Sequence, residues 1–141
     1  MPNKVAVDKP TKKAMERLGK HLAKCRGDRS LRKISEPCGI PASHLLSIEN
    51  GTLAPTADVY AKLLTMLNPT DKQRADMDHL FMAIRKTPPP DVCNVIINCP
   101  GLIPALRSVE GVTLTEQQID SISDLLASFA QGNTKGDTDN G

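Results

Sequence analysis

The stretch SLRKISEPCGIPASHLLSIENG, residues 30–51, constrains the fold more than any other part of the chain. Ser30 is a good helix N-cap, because its hydroxyl can accept a hydrogen bond from an amide of the first turn. Gly39 ends that helix, since glycine adopts a left-handed conformation that a side chain resists. Pro41 pre-sets φ at the start of a second helix, which is predicted to end at Gly51. Two short helices joined by a tight glycine turn are therefore the unit that the other helices should support.

Apolar residues recur every three or four positions on both sides of this unit, which predicts amphipathic helices. One helix is expected before it, from about Lys13 to Arg26. After it, Thr56 caps a fourth helix, and Thr70 with Gln73 forms a capping box for a fifth. The predicted core residues are Met15, Leu18, Leu22 and Cys25 in the first helix, Leu45 and Ile48 in the third, Val59, Leu63, Met66 and Leu67 in the fourth, and Met77, Leu80, Phe81 and Ile84 in the fifth.

The order and spacing of these residues resemble the Xre-type helix-turn-helix family, which includes Cro and the phage repressors. The resemblance implies an all-α, five-helix DNA-binding domain at residues 13–86, and usually a dimeric transcription regulator. It also implies an ion pair between Arg26 and Glu49, which would tie the first helix to the end of the third. The matching positions lie within about residues 13–67 and are Leu18, Gly19, Leu22, Arg26, Ile34, Ser35, Gly39, Ile40, Ser43, Leu45, Ile48, Glu49, Gly51, Pro55, Thr56, Leu63 and Leu67.

In such a protein the third helix enters the DNA major groove. With Leu45 and Ile48 turned inward, its outer face and flanks carry the predicted base-reading residues, at about 100° per residue. Serine can exchange hydrogen bonds with any base and alanine can touch a thymine methyl, so we expect few strong bidentate contacts. The predicted base-reading residues are Ala42, Ser43, His44, Leu46 and Ser47, and the predicted phosphate contacts are Arg32, Lys33, Asn50 and Thr52.

Two of these residues have an alternative interpretation. His44 is equally consistent with a half-buried ring packed on the second helix. Leu46, an apolar residue on the exposed side, could meet a thymine methyl or mark a protein-binding surface. A protein-interaction module, such as the antitoxin of a toxin–antitoxin pair with DNA binding secondary, is therefore the alternative function, and a toxin or effector partner stays open.

The distribution of charge favours DNA. Residues 1–87 carry 16 Lys and Arg against 9 Asp and Glu, a net of +7, whereas residues 88–141 carry 2 against 7, a net of −5. The basic part contains the helix-turn-helix motif, as phosphate contact requires. The preferred function is a sequence-specific regulator of transcription, a dimeric repressor that binds double-stranded DNA at a palindromic operator.

The remaining segments are predicted to connect and to dimerise. Residues 1–12 are expected to form a disordered basic arm, and the alternative is that this arm touches phosphate or enters a groove when DNA is bound. Residues 131–141 are expected to form a disordered tail. Residues 87–130 comprise a proline-rich linker, an apolar stretch that is either strand or short helix, and a helix opened by a capping box at Thr115 and Gln118. One side of that last helix would pack against a second copy through Ile119, Ile122, Leu125, Leu126 and Phe129.

Other classes of function find no motif in the chain. Ser43 and His44 are helix neighbours that point apart, and no orienting carboxylate is indicated, so no enzyme is predicted. The four cysteines lack zinc-ligand spacing, and neither a cofactor nor a metal is expected. No apolar run approaches the ~18 residues that span a membrane. We therefore expect a reduced, cytoplasmic protein without membrane contact.

Overall fold

The computed structural model describes residues 7–133, and over that range every regular element is a helix. The all-α prediction is therefore confirmed. Contacts divide the chain into one unit that ends at Cys99 and a second that begins at Pro100. The first unit holds α1 (Lys9–Arg26), α2 (Leu31–Ser35), α3 (Ala42–Glu49), α4 (Ala57–Leu67), α5 (Asp71–Arg85) and α6 (Pro90–Asn98). The second holds a 3₁₀ turn (Pro100–Leu102), α7 (Ile103–Arg107) and α8 (Glu116–Gly132).

The core of the first unit forms where α1 packs against α5 and α3, and α2 against α3 and α4. The predicted core face of the third helix is confirmed, because Leu45 and Ile48 are buried. In the fifth helix Met77, Leu80 and Phe81 are buried as predicted, whereas Ile84 lies at the margin of the core. Both predicted capping boxes are also present. In α5 and in α8, the threonine amide donates to the glutamine side chain at 2.9 Å, and the glutamine amide donates back to the threonine hydroxyl at 3.1 Å.

The buried face of α4 differs from the prediction. Tyr60 and Leu64 are buried, whereas the predicted Val59 and Met66 lie at the margin of the core. The ring of Tyr60 stacks on Phe81, with centroids 4.3 Å apart and planes inclined by 8°. A buried phenol requires a hydrogen-bond partner, and a search for apolar periodicity alone does not anticipate one.

That partner is Asp78, whose carboxylate accepts the Tyr60 hydroxyl at 2.7 Å. Asp78 also lies 3.9 Å from the guanidinium of Arg74, which in turn donates to Asp91 in α6 at 2.8 Å. These contacts bring α6 into the first unit, where it packs on α4. The predicted domain boundary at residue 86 is therefore too early, and residues 87–90 lead directly into a packed helix instead of a spacer.

The first and last helices of the described range extend further than predicted. The carboxylate of Asp8 accepts the Thr11 amide at 2.8 Å and caps α1, so Lys9–Lys12 are helical and the predicted disordered arm is wrong there. The helix α8 includes Gln131 and Gly132, the first residues of the predicted tail. Residues 1–6 and 134–141, which carry the rest of both predictions, lie outside the described range.

The helices of the second unit leave their apolar side chains exposed. The apolar stretch for which strand and short helix were both open is helical: it forms α6 in the first unit, and the 3₁₀ turn and α7 in the second. No residue of α8 is buried, and its predicted dimerisation side chains Ile119, Ile122, Leu125, Leu126 and Phe129 are all exposed. Within the described residues, no helix combines the length and apolar character needed to cross a bilayer.

Tyr60 provides a pH-dependent test of the buried contacts. Burial, and then the hydrogen bond to Asp78, raises the pKa of Tyr60 above its ordinary value. The folded state therefore favours the neutral phenol. Its contribution to stability is complete below the unfolded pKa of about 10 and is lost as the pH rises further. We expect the free energy of unfolding, from urea titrations, to fall more steeply above pH ~10 in the unaltered chain than in Tyr60→Phe.

At neutral pH, Tyr60→Phe should keep the ring stacked on Phe81. The free energy of unfolding of this variant should be lower by about 1–3 kcal/mol, because the hydrogen bond from the Tyr60 hydroxyl to a charged group is absent. All other titratable groups are the same in both chains, so only the difference between the two slopes reports on Tyr60. Equal slopes would show that the phenol makes no such contribution.

Candidate nucleic-acid interface

The end of α3 lies against the backbone of α1 at Gly19. A Cβ atom placed on Gly19 would overlap the carbonyl oxygen of Glu49 and lie 2.6 Å from that of Ile48. One turn earlier in α1, Glu16 makes a similar approach to Gly51, where an added Cβ would lie 2.6 Å from the Glu16 Cα. Gly51 also has φ +78°, which a side chain rarely adopts. Two glycines thus let α1 cross the C-terminal end of α3 at backbone distance.

The ion pair expected between Arg26 and Glu49 is present beside this crossing. The Arg26 guanidinium donates to both carboxylate oxygens of Glu49, at 2.7 and 2.9 Å, and to the Arg29 carbonyl at 2.6 Å. The Glu49 side chain is only 6% exposed, and Arg26 supplies the counter-charge that a buried carboxylate needs. The hydrogen bond to Glu49 also raises the pKa of Arg26. The pair is structural, because it holds the last turn of α3 onto α1.

With its end fixed in this way, α3 turns one side away from the core. Leu45 and Ile48 are its buried residues, as the predicted helical phase requires. The predicted base-reading residues divide into two groups. Ser43 and Leu46 are exposed, whereas Ala42, His44 and Ser47 are half-buried. Leu46 keeps 43% of its surface exposed, a large value for leucine in a packed helix.

The predicted phosphate contacts on α2 have different surroundings. Arg32 forms an ion pair with Glu36 at 3.1 Å, but both side chains are more than half exposed. Such a surface pair contributes about 0–1 kcal/mol and is easily exchanged for another anion. Lys33 is exposed, and its amide donates to the Ser30 hydroxyl at 3.1 Å, so the predicted N-cap is present.

The loop after α3 offers fewer free donors than expected. The amides of Asn50, Gly51 and Thr52 donate to carbonyls of α3 at 2.9, 3.1 and 3.0 Å, and are therefore occupied. The hydroxyl of Thr52 also donates inward, to the Ser47 carbonyl at 3.1 Å. The Asn50 side chain is exposed and is the better phosphate donor of the two predicted here.

Lys12 is a further candidate phosphate contact, which was not among the predicted ones. It lines a cleft of about 290 Å³ together with Val7, Met15, Gly51 and Thr52, so this residue lies beside the loop after α3. Lys12 was not assigned individually, because the polar, lysine-rich segment of residues 1–12 shows no apolar periodicity and was predicted to be a disordered arm. The spacing of Asp8 and Thr11, an acidic N-cap three residues before the amide that it binds, could have placed the start of α1 correctly.

Gly19→Ala tests the backbone contact. The new methyl group would overlap carbonyl oxygens at the end of α3 unless that end moves. We therefore expect the free energy of unfolding to fall by about 1–3 kcal/mol or more. Urea unfolding measures the decrease. Gly132→Ala is the control, because a Cβ there meets no atom within 4 Å and should leave the stability unchanged or slightly raised. Equal stabilities for the two variants would contradict the close approach.

Within the described residues, no group of three or more histidine, cysteine or acidic side chains is placed to hold a metal ion. Comparisons of the chain with protein-family models, curated proteins and solved structures give no match. The Xre-type resemblance stays a prediction, and the functional argument depends on the residues described above.

Proposed function

We propose that the protein is a sequence-specific DNA-binding regulator of transcription, which represses a promoter as a dimer on a palindromic operator. Residues 30–51 act as a helix-turn-helix, in which α2 positions α3 in the major groove. The observation that carries this proposal is the anchoring of α3. A helix of two turns presents Ser43, Leu46 and Asn50 outward while Gly19 and Arg26 hold its far end. A reading helix needs such a rigid mount, because specificity depends on the register of a few side chains.

The exposed side chains of α3 can make a small number of specific contacts with base edges. The Ser43 hydroxyl can donate to or accept from a base edge, and Leu46 can touch a thymine methyl. Affinity would come mainly from phosphate contacts by Lys12, Lys33 and the exposed amide of Asn50. The net charge of +7 over residues 1–87 supports a large contribution of phosphate contacts to the affinity.

The apolar side of α8 supports self-association. Ile119, Ile122, Leu126 and Phe129 are spaced by three, four and three residues, the pattern of a two-helix seam. The acidic residues of α8, which are Glu116, Asp120 and Asp124, fall on the other side at 100° per residue. Two copies can therefore pair without bringing those charges together. In an antiparallel pair, Ile122 would face Leu126 of the second copy and Ile119 would face Phe129.

A second candidate function is favoured by one observation. Leu46 exposes 43% of its surface in the middle of the outer side of α3. Buried apolar contacts are more typical of protein interfaces than of DNA grooves. A protein-interaction module, such as an antitoxin, would use Leu46 as an anchor. Leu46→Gln should then abolish capture of the protein partner and spare DNA binding, whereas a repressor should lose discrimination at a thymine.

Substitutions in α3 separate reading from folding. Ser43→Ala combined with Ser47→Ala should leave the melting temperature nearly unchanged. It should reduce discrimination between the operator and random DNA by about 1–3 kcal/mol for each good hydrogen bond to a base that is removed. Leu45→Ala should instead lower the free energy of unfolding by about 2–5 kcal/mol, because it opens a cavity in the core. The operator comes from selection on a random duplex pool, and competition binding gives the discrimination. Failure to select any duplex would remove the DNA proposal.

Charged residues in the apolar side of α8 test the dimer. Ile122→Glu combined with Leu126→Glu should give a monomer in light scattering. Its affinity for the whole operator should fall by about 10²–10⁴, the usual gain from linking two binding modules. Asp120→Asn combined with Asp124→Asn alters the opposite side and should remain dimeric. A chain that stops after Cys99 should behave like the glutamate variant. If both altered chains stay dimeric with full affinity, another surface joins the copies.

A further inference from the structure

Five cations form a row along the outer side of α1. Lys9, Lys13, Arg17, Lys20 and Lys24, hereafter the basic ridge, are all exposed. Their spacing of four, four, three and four residues confines them to a stripe about 80° wide at 100° per residue. The stripe extends about 22 Å along the helix at 1.5 Å per residue. It is therefore a continuous positive surface.

The basic ridge lacks the counter-charges that the neighbouring helices provide. On α2, α4 and α5, exposed cations pair with an acid one turn away, at 3.1, 3.1 and 3.6 Å. In residues 7–133, no ion pair involves a member of the basic ridge. The helix α1 contains one acidic residue, Glu16. Glu16 lies one turn from Lys13 and Lys20, and Asp76 of α5 lines a cleft with Arg17, so two carboxylates offset part of the five positive charges. The remaining positive charge is available to an external anion.

The residues of the basic ridge also line two shallow clefts on the surface. Arg17, Lys20 and Lys24 line a groove of about 330 Å³ together with His21. Lys9 and Lys13 line a second cleft of about 440 Å³ together with Lys12 and one acidic residue, Glu16. Cations that converge on a groove can contact one bound anion jointly, whereas cations on a flat surface cannot.

The basic ridge and the outer side of α3 are different surfaces. The backbone of α3 crosses α1 at Gly19. The members of the ridge lie about 80° to 160° around α1 from that position, at 100° per residue. Anions held by the ridge would therefore be additional to those held beside α3.

We propose that the basic ridge is a second phosphate-binding surface, which holds a nucleic-acid backbone separately from α3. No large apolar side chain interrupts the ridge, so it lacks the apolar centre of a protein-binding surface. A phosphate backbone needs only regularly spaced cations, which release its counterions on contact. The inference goes beyond base reading by α3, because the ridge would retain non-specific DNA even where α3 finds no site.

Two charge-matched variants of the full chain test the ridge. The ridge variant carries Lys13→Gln, Lys20→Gln and Lys24→Gln. The control variant carries Lys62→Gln, Lys72→Gln and Lys86→Gln, which removes the same charge from other exposed positions. Binding to a short random-sequence duplex is measured against salt. The log–log slope should fall by about 2–3 in the ridge variant, since each phosphate contact contributes about 0.9. Equal slopes in the two variants would overturn the inference.

A third variant separates the ridge from α3. Ser43→Glu with Asn50→Glu places carboxylates on the outer side of α3 and repels DNA there. Weak, salt-dependent binding should persist in this chain and should disappear when the ridge substitutions are added. Complete loss of binding from the α3 substitutions alone would overturn the ridge and leave the proposed function intact. Full affinity retained with them would support the ridge and oppose the proposed function. Displacement of the duplex by polyglutamate at equal charge would overturn the nucleic-acid assignment in favour of an acidic protein.

Discussion

The contact on which the first unit depends is the backbone crossing of α1 and α3 at Gly19. A two-turn helix has little stability of its own, and α3 has no side-chain cap at its N-terminus. Its orientation must therefore come from tertiary contacts. Glu49 supplies two of them, because its carbonyl lies against Gly19 and its carboxylate accepts both donors from Arg26. The contact of the Glu49 carbonyl requires that residue 19 have no side chain. The contact of the Glu49 carboxylate requires the positive charge of Arg26.

The charged side chains of the first unit fall into two groups, those that form ion pairs within the fold and those that do not. Arg74 links Asp78, which holds the Tyr60 hydroxyl, to Asp91 in α6, and each of these charges has a partner within the fold. The helix α1 is different, since its outer cations have no partner among the described residues. Paired charges fix the positions of helices, whereas unpaired charges can attract a polyanion from solution. The two arrangements adjoin at one point, because Arg17 of the outer row on α1 lines a cleft together with Asp76 of α5.

What could be predicted from the sequence has a common physical basis. Capping boxes and apolar periodicity are local, so α5, α8 and the phase of α3 followed from them. The pairing of Arg26 with Glu49 is not local and came only from a resemblance. Tyr60 was missed because its burial depends on Asp78, 18 residues away. The place of α6 was missed because proline-rich segments usually act as spacers, whereas here α6 packs on α4 and Asp91 accepts a hydrogen bond from Arg74.

The anchoring of α3 at one end has a consequence for how this protein can diverge. Its core contacts use Leu45 and Ile48, and its crossing with α1 uses main-chain atoms of Ile48 and Glu49. The exposed positions Ser43, Leu46 and Asn50 take part in neither set of side-chain contacts. Substitutions there are nearly free of structural cost, so a lineage could exchange them without passing through unfolded intermediates. Under the proposed function, such exchanges would change the bases that α3 contacts. Gly19, in contrast, should tolerate no replacement, because every other amino acid brings a Cβ atom into α3.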